Sequence, residues 1–291
     1  MDSVYVILVN FNNSKMTKDC IESIKKSSYK NYSIVVVDNA SCDDSYDSLS
    51  LLFGNSENIY ILRAVENNGF SAGNNIGINF ALNRGADYIM LLNNDTVIDE
   101  NMIQLLHSKA TEKTVTTPKM YYYSRPNVIW YAGGELEYKY GGARHLGLDK
   151  EDSETFSLVK SCTFVTGCCV MIHRNILEKV GLLDETYFMY GEDVDYSIRL
   201  QEEGIEILFV PTAKLWHKVG GSGTSKINIY YDTRNKLYIM DKYGFPKISK
   251  VRYRVKILLL YIRGILKKNN DTFFRKAYLD YRRGVKGRTN L

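Results

Sequence analysis

Residues 88–99, YIMLLNNDTVID, contain the feature that decides the fold. Their first five side chains are apolar without alternation, which is typical of a strand buried on both faces of a parallel sheet. Asn93, Asn94 and Asp95 follow at once, so the strand ends in two amides and an acid. Ligands of open α/β sheets lie beyond the carboxyl ends of the strands. The stretch therefore predicts a buried strand that opens onto a polar crevice.

The chain before this stretch repeats the arrangement. Apolar runs at residues 4–9 and 32–38 are each followed by a helical pattern, with Asn10 and Asn12 after the first run and Asp38 at the end of the second. This order predicts an α/β fold with a mostly parallel sheet flanked by helices, whose strand ends share one crevice. At any single site, capping of the next helix or turn by Asn or Asp is an equally good explanation.

Composition limits the classes of protein to consider. The chain has 291 residues, 45% of them hydrophobic, which is enough for a full core without metal or disulfides. The first residues, MDSVYVILVNFNN, lack a basic leader and a cleavage site, and no apolar run reaches the roughly 18 residues of a membrane span. Five cysteines without a C-x-x-C pair favour free thiols in a reducing compartment; they are Cys20, Cys42, Cys162, Cys168 and Cys169. We therefore expect a cytoplasmic protein.

The C-terminal tail is a separate, basic part of the chain. Residues 241–291 hold 15 Lys or Arg against 3 Asp or Glu, a net +12, whereas the remainder holds 23 against 30, a net −7. Residues 250–268 place an apolar stripe at helical spacing beside cationic side chains, and the stripe comprises Val251, Val255, Leu258, Leu259, Ile262 and Leu266. Such a helix is expected to bind an anionic membrane surface. Packing of the stripe on the catalytic domain is the alternative, and nucleic acid is disfavoured because no binding motif accompanies the charge.

An acidic cluster precedes a helical pattern in YGEDVDYS, residues 190–197. Acids at a helix N-terminus interact favourably with the helix dipole, which is a sufficient structural explanation. The same dipole would keep Asp193 ionised, as a general base must be to accept a proton from a hydroxyl. Gly191 before it permits close approach of a substrate. Asp193 is therefore a candidate base.

Asp95 and His217 are the candidate metal ligands. Asp95 ends a buried strand among amides, and hard divalent cations prefer oxygen ligands of this kind. His217 stands after another strand and before a glycine-rich loop, although a lone histidine is more often structural. Neither a P-loop nor a G-x-G-x-x-G fingerprint is present, so the loop is not a known phosphate cradle.

Six segments occur in the order found in inverting, GT-A-type glycosyltransferases of family two. They are VILVNFNN, VVVDNASCDDS, ENNGFSAGNNIGI, YIMLLNNDTVID, the segment from Gly167 to Gly204, and LWHKVGG. The chain resembles this family over roughly residues 3–240, and YYDTRNKLY at 230–238 is similar to its bacterial rhamnosyltransferase-like branch. The resemblance implies a GT-A-like (Rossmann-like) catalytic domain at 1–240, with a nucleotide-sugar half at about 1–100 and an acceptor half at about 101–240. A basic amphipathic helical tail follows at 241–291.

The resemblance also implies roles for particular residues. Asp193 matches the catalytic base, and Asp38 the carboxylate that reads the pyrimidine ring. The implied nucleotide-sugar site comprises Asn10, Asn12, Asp38, Asn68, Gly69, Asn93, Asn94 and Arg234, and the acceptor side comprises Gly167, Cys168 and Glu192. Asp95 and His217 would hold a divalent cation, Mn²⁺ or Mg²⁺, at the diphosphate. Asn93 replaces the first acid of the family's D-x-D motif, so metal affinity before donor binding is expected to be weaker.

The resemblance implies a single displacement at the anomeric carbon of a nucleotide sugar. The expected donor is dTDP-L-rhamnose, with UDP-galactofuranose, UDP-hexoses and UDP-N-acetylhexosamines as alternatives. The expected acceptor is a lipid-linked, growing bacterial surface polysaccharide at the inner face of the cell membrane. A non-enzymatic alternative is a silent domain that binds a nucleotide sugar or glycan, but such a domain would not need Asp95, Asp193 and His217 together.

Overall fold

The computed structural model describes residues 1–139, 141–218, 226–266 and 272–289. The strands are β1 Val4–Asn10, β2 Tyr32–Asp38, β3 Ile59–Arg63, β4 Tyr88–Leu92, β5 Thr96–Ile98, β6 Thr114–Tyr122, β7 Arg125–Tyr131, β8 Gly134–Glu137, β9 Gly142–His145, β10 Lys160–Cys162, β11 Cys169–His173 and β12 Glu206–His217. The α-helices are α1 Ser14–Ile24, α2 Ser45–Phe53, α3 Gly69–Asn83, α4 Met102–His107, α5 Arg174–Val180, α6 Glu192–Glu202, α7 Lys226–Lys242, α8 Lys247–Leu266 and α9 Thr272–Arg282. A short 3₁₀ helix spans Glu154–Phe156.

One large sheet organises the molecule, with strand order β10-β12-β6-β11-β4-β1-β2-β3. Strands β3, β2, β1 and β4 run parallel, joined by helices that cross over between them. Strand β11 is antiparallel to both β4 and β6, whereas β12 is parallel to β6. The predicted α/β class is therefore confirmed, and the antiparallel strand β11 lies between the two halves of the sheet.

The core lies on both faces of this sheet, which explains the unalternating apolar strands. In β4, Met90 and Leu92 pack into one cluster of buried side chains, and Ile89 and Leu91 pack into another on the opposite face. Strands β1 and β2 divide their side chains in the same way. Burial on two faces leaves only the strand ends open to ligands.

The C-terminal helices α8 and α9 pack against each other and against α7. Helix α7 runs across residue 240, so the predicted domain boundary falls inside a helix. The Tyr230 hydroxyl donates to Asp280 at 2.8 Å, and the ring of Tyr238 packs edge-on against the ring of Tyr281. Among the described helices, none combines the length and apolar composition needed to cross a bilayer.

Helix α8 buries a different face from its apolar stripe. Tyr253 and Ile257 pack into the core, 7% and 5% exposed. Val251, Val255, Leu258, Leu259 and Ile262 stay in solvent, and Leu259 is 61% exposed. The side chain of Leu266 and all of Lys267 and Lys268, at the end of the predicted amphipathic segment, lie outside the described residues. The alternative in which the stripe packs on the catalytic domain is therefore wrong for its described members.

Candidate active site

The predicted polar crevice is present at the carboxyl ends of the parallel strands. We name it the strand-end cleft; its volume is about 610 Å³. Its lining comprises Val9, Phe11, Asn39, Asn67, Gly69, Phe70, Leu92, Asn93, Asn94, Asp95, Phe188, Met189, Ile227, Tyr231, Arg288 and Thr289. The cleft combines aromatic walls with a floor of amides and one acid, which suits a ligand that has both a ring and polar groups.

Asn10 and Asp38 stand behind the wall of this cleft. Both are fully buried, and the Asn10 amide donates to Asp38 Oδ2 at 2.8 Å. Asp38 also accepts from the backbone N–H and hydroxyl of Ser41. Exposed Asn12 accepts from the Cys42 N–H, so it braces the same loop. In this structure these side chains fix the strand ends. Recognition of the pyrimidine ring of the donor by Asp38 stays a prediction.

The α3 entry differs from the expected arrangement by one residue. Asn67 lines the cleft, whereas Asn68 is exposed and donates to Glu66. Asn67 accepts from the Gly69 N–H at 3.0 Å, which turns its side chain inward. Gly69 has φ +93°, and a Cβ there would lie 2.0 Å from the Phe188 carbonyl oxygen. Glycine is required because the chain passes so close to Phe188.

Asp95 and His217 meet although 122 residues separate them in sequence. Strand β12 pairs with β5 so that His217 lies opposite Thr96, and His217 Nε2 is 3.0 Å from Asp95 Oδ1. Burial lowers the pKa of His217, but nearby Cys168 and Asp95 outweigh it and raise that pKa to about 10. The other ring nitrogen, Nδ1, is buried without a hydrogen-bond partner.

The donor chemistry of this pair fits a divalent cation that also needs ligands from a substrate. The carboxylate oxygen and the ring nitrogen lie 3.0 Å apart, and both become available to a cation once the proton on His217 Nε2 is displaced. Within the described ranges, no group of three or more His, Cys, Asp or Glu side chains could hold a metal ion alone. Cations such as Mg²⁺ commonly take one or two protein ligands and complete their coordination with phosphates and water.

A second cavity, the acid cleft, opens beside the first and has a volume of about 490 Å³. It is lined by Phe70, Asn93, Asp95, Trp130, His145, Thr166, Gly167, Cys168, Met189, Tyr190, Glu192, Asp193 and His217. The two clefts share Phe70, Asn93, Asp95 and Met189. The sequence therefore brings the predicted acceptor-side residues, the candidate base and the candidate metal ligands into one continuous site.

Glu192 and Asp193 open α6 side by side, and their surroundings favour one shared proton. Burial, and then the neighbouring Asp193 carboxylate, raise the pKa of Glu192 well above its ordinary value. Burial also raises the pKa of Asp193, although the N–H groups of Gly167 and Val194 oppose the rise. One Glu192 oxygen has no hydrogen-bond partner, whereas Val194 N donates to Asp193 at 2.9 Å. The hydrogen bonds therefore favour the charge on Asp193 and the proton on Glu192.

At Asp193, burial raises the pKa and opposes the lowering expected from the helix N-terminus. The third acid of the cluster, Asp195, has a structural role instead. It is fully buried and accepts from Arg199 at 2.9 Å and from Lys242 at 2.6 Å. Only the first two acids of the cluster face the cleft.

Sequence reasoning missed two aromatic residues of the acid cleft. Trp130 packs edge-on against His217, with ring centroids 4.5 Å apart. His145 contacts the Trp130 carbonyl through Nδ1 at 3.1 Å, and burial lowers its pKa to about 4, so it is neutral at physiological pH. Both lie at residues 121–147, a stretch rich in Tyr and Gly, whose abundance of aromatic residues was the available signal.

Arg234 lies elsewhere than expected. It is fully buried in α7 and does not line the strand-end cleft; its guanidinium donates to Gly287 O at 2.9 Å and to Thr289 Oγ1 at 3.0 Å. The predicted approach to a diphosphate is therefore not seen. Two residues near the C-terminus, Arg288 and Thr289, line the cleft instead. No sequence motif marked them, because their position depends on how the tail packs.

Comparison with known proteins identifies the family. The family model Glycosyl transferase family 2 matches residues 5–181, and the chain belongs to this family. The hexosyltransferase Agl10 of low-salt glycan biosynthesis in Haloferax volcanii is 24% identical over 267 residues, covering 89% of this chain and 82% of Agl10. The dTDP-rhamnosyl transferase RfbF of Shigella flexneri is 24% identical over 300 residues, covering 99% and 97% of the two chains.

A solved structure supports the fold. GalNAc-T7, crystallised with UDP, GalNAc and Mn²⁺, superposes with a TM-score of 0.64 at 16% identity; the match covers 96% of this chain and 57% of the longer GalNAc-T7 chain. The expected GT-A-like fold is therefore confirmed. The fold and the family match together identify the protein as a nucleotide-sugar-dependent glycosyltransferase.

Proposed function

We propose that this enzyme inverts configuration while it transfers L-rhamnose from dTDP-L-rhamnose to a hydroxyl of a bacterial surface-polysaccharide acceptor. The observation that carries the proposal is the wall that the two clefts share. Asn93 and Asp95 face both cavities, and Asp193 lines the acid cleft but not the strand-end cleft. A donor in the strand-end cleft and an acceptor in the acid cleft would meet at this wall.

The reaction that this arrangement allows is a single displacement. The acceptor hydroxyl attacks the anomeric carbon of the sugar and loses its proton to Asp193, while the bond to the nucleoside diphosphate breaks. Glu192, protonated beside Asp193, avoids a second negative charge at the base. Gly167 permits close approach at this point, because its N–H faces Asp193 Oδ2 at 3.5 Å and no side chain intervenes.

We propose that Asp95 and His217 hold the divalent cation. When bound, such a cation stabilises the negative charge that develops on the leaving diphosphate. Asn93, in place of an acid, lends an amide oxygen without charge, so the cation is expected to bind tightly only with the diphosphate. The neighbouring amide of Asn94 donates to Thr17 at 2.8 Å, which fixes the loop.

The choice of sugar rests on relatives alone. Similarity to RfbF extends over nearly the whole of both chains, which favours a rhamnosyl donor, whereas Agl10 is equally identical and is described as a hexosyltransferase. UDP-galactofuranose, UDP-hexoses and UDP-N-acetylhexosamines are therefore the alternatives. Donor choice needs a direct experiment.

The test is the shift of the thermal midpoint with dTDP and with UDP, each with and without Mn²⁺. A ligand at a hundredfold excess over its dissociation constant stabilises the folded state by about 2.7 kcal/mol. A Mn²⁺-dependent shift that is larger for dTDP supports the rhamnosyl proposal and a cation at Asp95. A larger shift with UDP contradicts the rhamnosyl donor, and equal shifts with and without Mn²⁺ contradict the cation.

We also propose that α8 places the enzyme on the anionic inner face of the cell membrane, next to a lipid-linked acceptor. The exposed apolar stripe of α8 lies between cationic side chains, including Arg252, Lys256 and Arg263, which are also exposed. Apolar burial together with attraction to anionic headgroups is how interfacial helices bind.

A double substitution tests the membrane contact without removing packed helices. Truncation at Gly244 would also remove Asp280, which pairs with Tyr230. Replacing Leu258 and Leu259 with Glu should abolish co-sedimentation with anionic vesicles, since both side chains are exposed. The control replaces Leu51 and Leu52 of α2, another pair of adjacent exposed leucines, with Glu. Equal co-sedimentation of the two variants would contradict the proposal.

A further inference from the structure

The C-terminal segment, residues 285–289, returns from α9 to the strand-end cleft. The Gly287 N–H donates to the Thr186 carbonyl at 2.9 Å, which ties the segment to the loop before α6. Arg288 and Thr289 then form part of the cleft lining. A cationic side chain from the far end of the chain therefore lies in the same cavity as Asp95.

Buried side chains of α7 hold this segment. The fully buried Arg234 donates to Gly287 O and Thr289 Oγ1, and its guanidinium lies 4.9 Å from the ring centre of Tyr231. The Tyr231 hydroxyl accepts from the Thr289 N–H at 2.9 Å. Burying a guanidinium is costly unless its donors are satisfied, and much of that satisfaction comes from this segment. The position of the segment is thus well specified.

Binding of a nucleoside diphosphate in the strand-end cleft requires a positively charged side chain. A nucleoside diphosphate brings negative charge into a cavity that already contains Asp95. Of the described residues that line the cleft, Arg288 alone is positively charged. Its side chain is exposed, and its contact within the protein is a long hydrogen bond to the Asn67 carbonyl at 3.4 Å. Lys218, which follows β12, is already paired with Asp19 at 2.7 Å.

We propose that Arg288 binds the diphosphate of the donor, and that Arg234 positions the C-terminal segment for this contact. The planar guanidinium can offer two parallel N–H donors to phosphate oxygens, which an amide or a lysine cannot match. The inference rests on the proposed function and deepens it, because it completes the strand-end cleft with a residue outside the family match at 5–181.

Binding of nucleoside diphosphate and of nucleoside alone tests the proposal in the full-length protein. Arg288→Gln should weaken binding of the preferred diphosphate, dTDP or UDP, by about tenfold and leave thymidine or uridine binding unchanged. Arg288→Lys should recover part of the loss. Arg282→Gln removes an equal charge from the exposed end of α9, away from the cleft, and should bind like the wild type. Thermal midpoints verify that each variant is folded.

The outcomes separate this inference from the proposed function. If the wild type binds the diphosphate and Arg288→Gln binds it equally well, the inference alone is overturned. An equal loss for diphosphate and nucleoside also overturns it, because the effect would then arise from the shape of the cleft. A wild type that binds neither dTDP nor UDP overturns the proposed function and the inference together.

Discussion

The strand-end cleft and the acid cleft share a wall, but the buried carboxyl groups beside them have different hydrogen-bonding surroundings. Behind the strand-end cleft, Asn10 and Asp38 are buried in a hydrogen-bonded network that also includes Ser41. In the acid cleft, by contrast, one carboxyl oxygen of the buried Glu192 has no hydrogen-bond partner. Satisfied networks give rigidity, whereas unpaired buried groups cost stability and are retained where they act on a substrate. The difference between the two acids is the one expected if the strand-end cleft binds the donor and the acid cleft carries the reaction.

The largest expected effect falls on the reaction surface. Asp193→Asn keeps the size of the side chain but removes the proton acceptor, so turnover should fall by about 100-fold or more. Binding of the nucleoside diphosphate, measured by calorimetry, should stay near the wild-type value because Asp193 does not line the strand-end cleft. Asp195→Asn is not a suitable control for this variant, because it would disrupt the buried contacts of Asp195 with Arg199 and Lys242. A variant with near-normal turnover would exclude Asp193 as the base.

The second effect falls on the binding surface and concerns stability. Asp38→Ala leaves the Asn10 amide and the Ser41 donors without their partner in a buried place, which should lower the free energy of unfolding by about 2 kcal/mol or more. Asp47→Ala, on the exposed face of α2, should change it by less than about 0.5 kcal/mol. Urea denaturation measures both. Equal stability of the two variants would remove the distinction between the clefts.

The smallest effect is a pH-dependent gain in stability from Glu192→Gln. Folding raises the pKa of Glu192 above its ordinary value of 4.5, so the folded state binds a proton that the unfolded state has lost at neutral pH. Keeping Glu192 protonated in the folded state therefore costs free energy of folding. This cost is absent below pH 4.5 and grows as the pH rises toward the folded pKa. Glutamine avoids it. The thermal midpoint of the variant should therefore exceed that of the wild type at pH 7.5, and the difference should vanish near pH 4.

Turnover gives the complementary reading of this variant. Because Glu192 is neutral near pH 7, the isosteric amide should change turnover little at that pH, by no more than about threefold. A loss comparable to that of Asp193→Asn would assign the base role to Glu192 instead. A midpoint below that of the wild type at pH 7.5 would show that Glu192 is ionised in the folded protein.

The sequence was informative wherever a local pattern determines the structure. Unalternating strands with polar ends predicted the sheet and the crevice, because burial on both faces leaves no other place for Asn93, Asn94 and Asp95. Contacts set by tertiary packing were not predictable. Arg234 lies within a motif that resembles the family, yet only the fold shows that it holds the C-terminal segment at residues 285–289. The protonation of Glu192 depends on desolvation, which no spacing of acids reveals.

The most direct test of single displacement between the two clefts is the anomeric configuration of the product. The enzyme would be supplied with the donor that its nucleotide preference selects, and the new linkage would be examined by proton and carbon NMR. One attack by an acceptor hydroxyl, with Asp193 as base, predicts a configuration opposite to that of the donor. A product that retains the donor configuration would contradict the account.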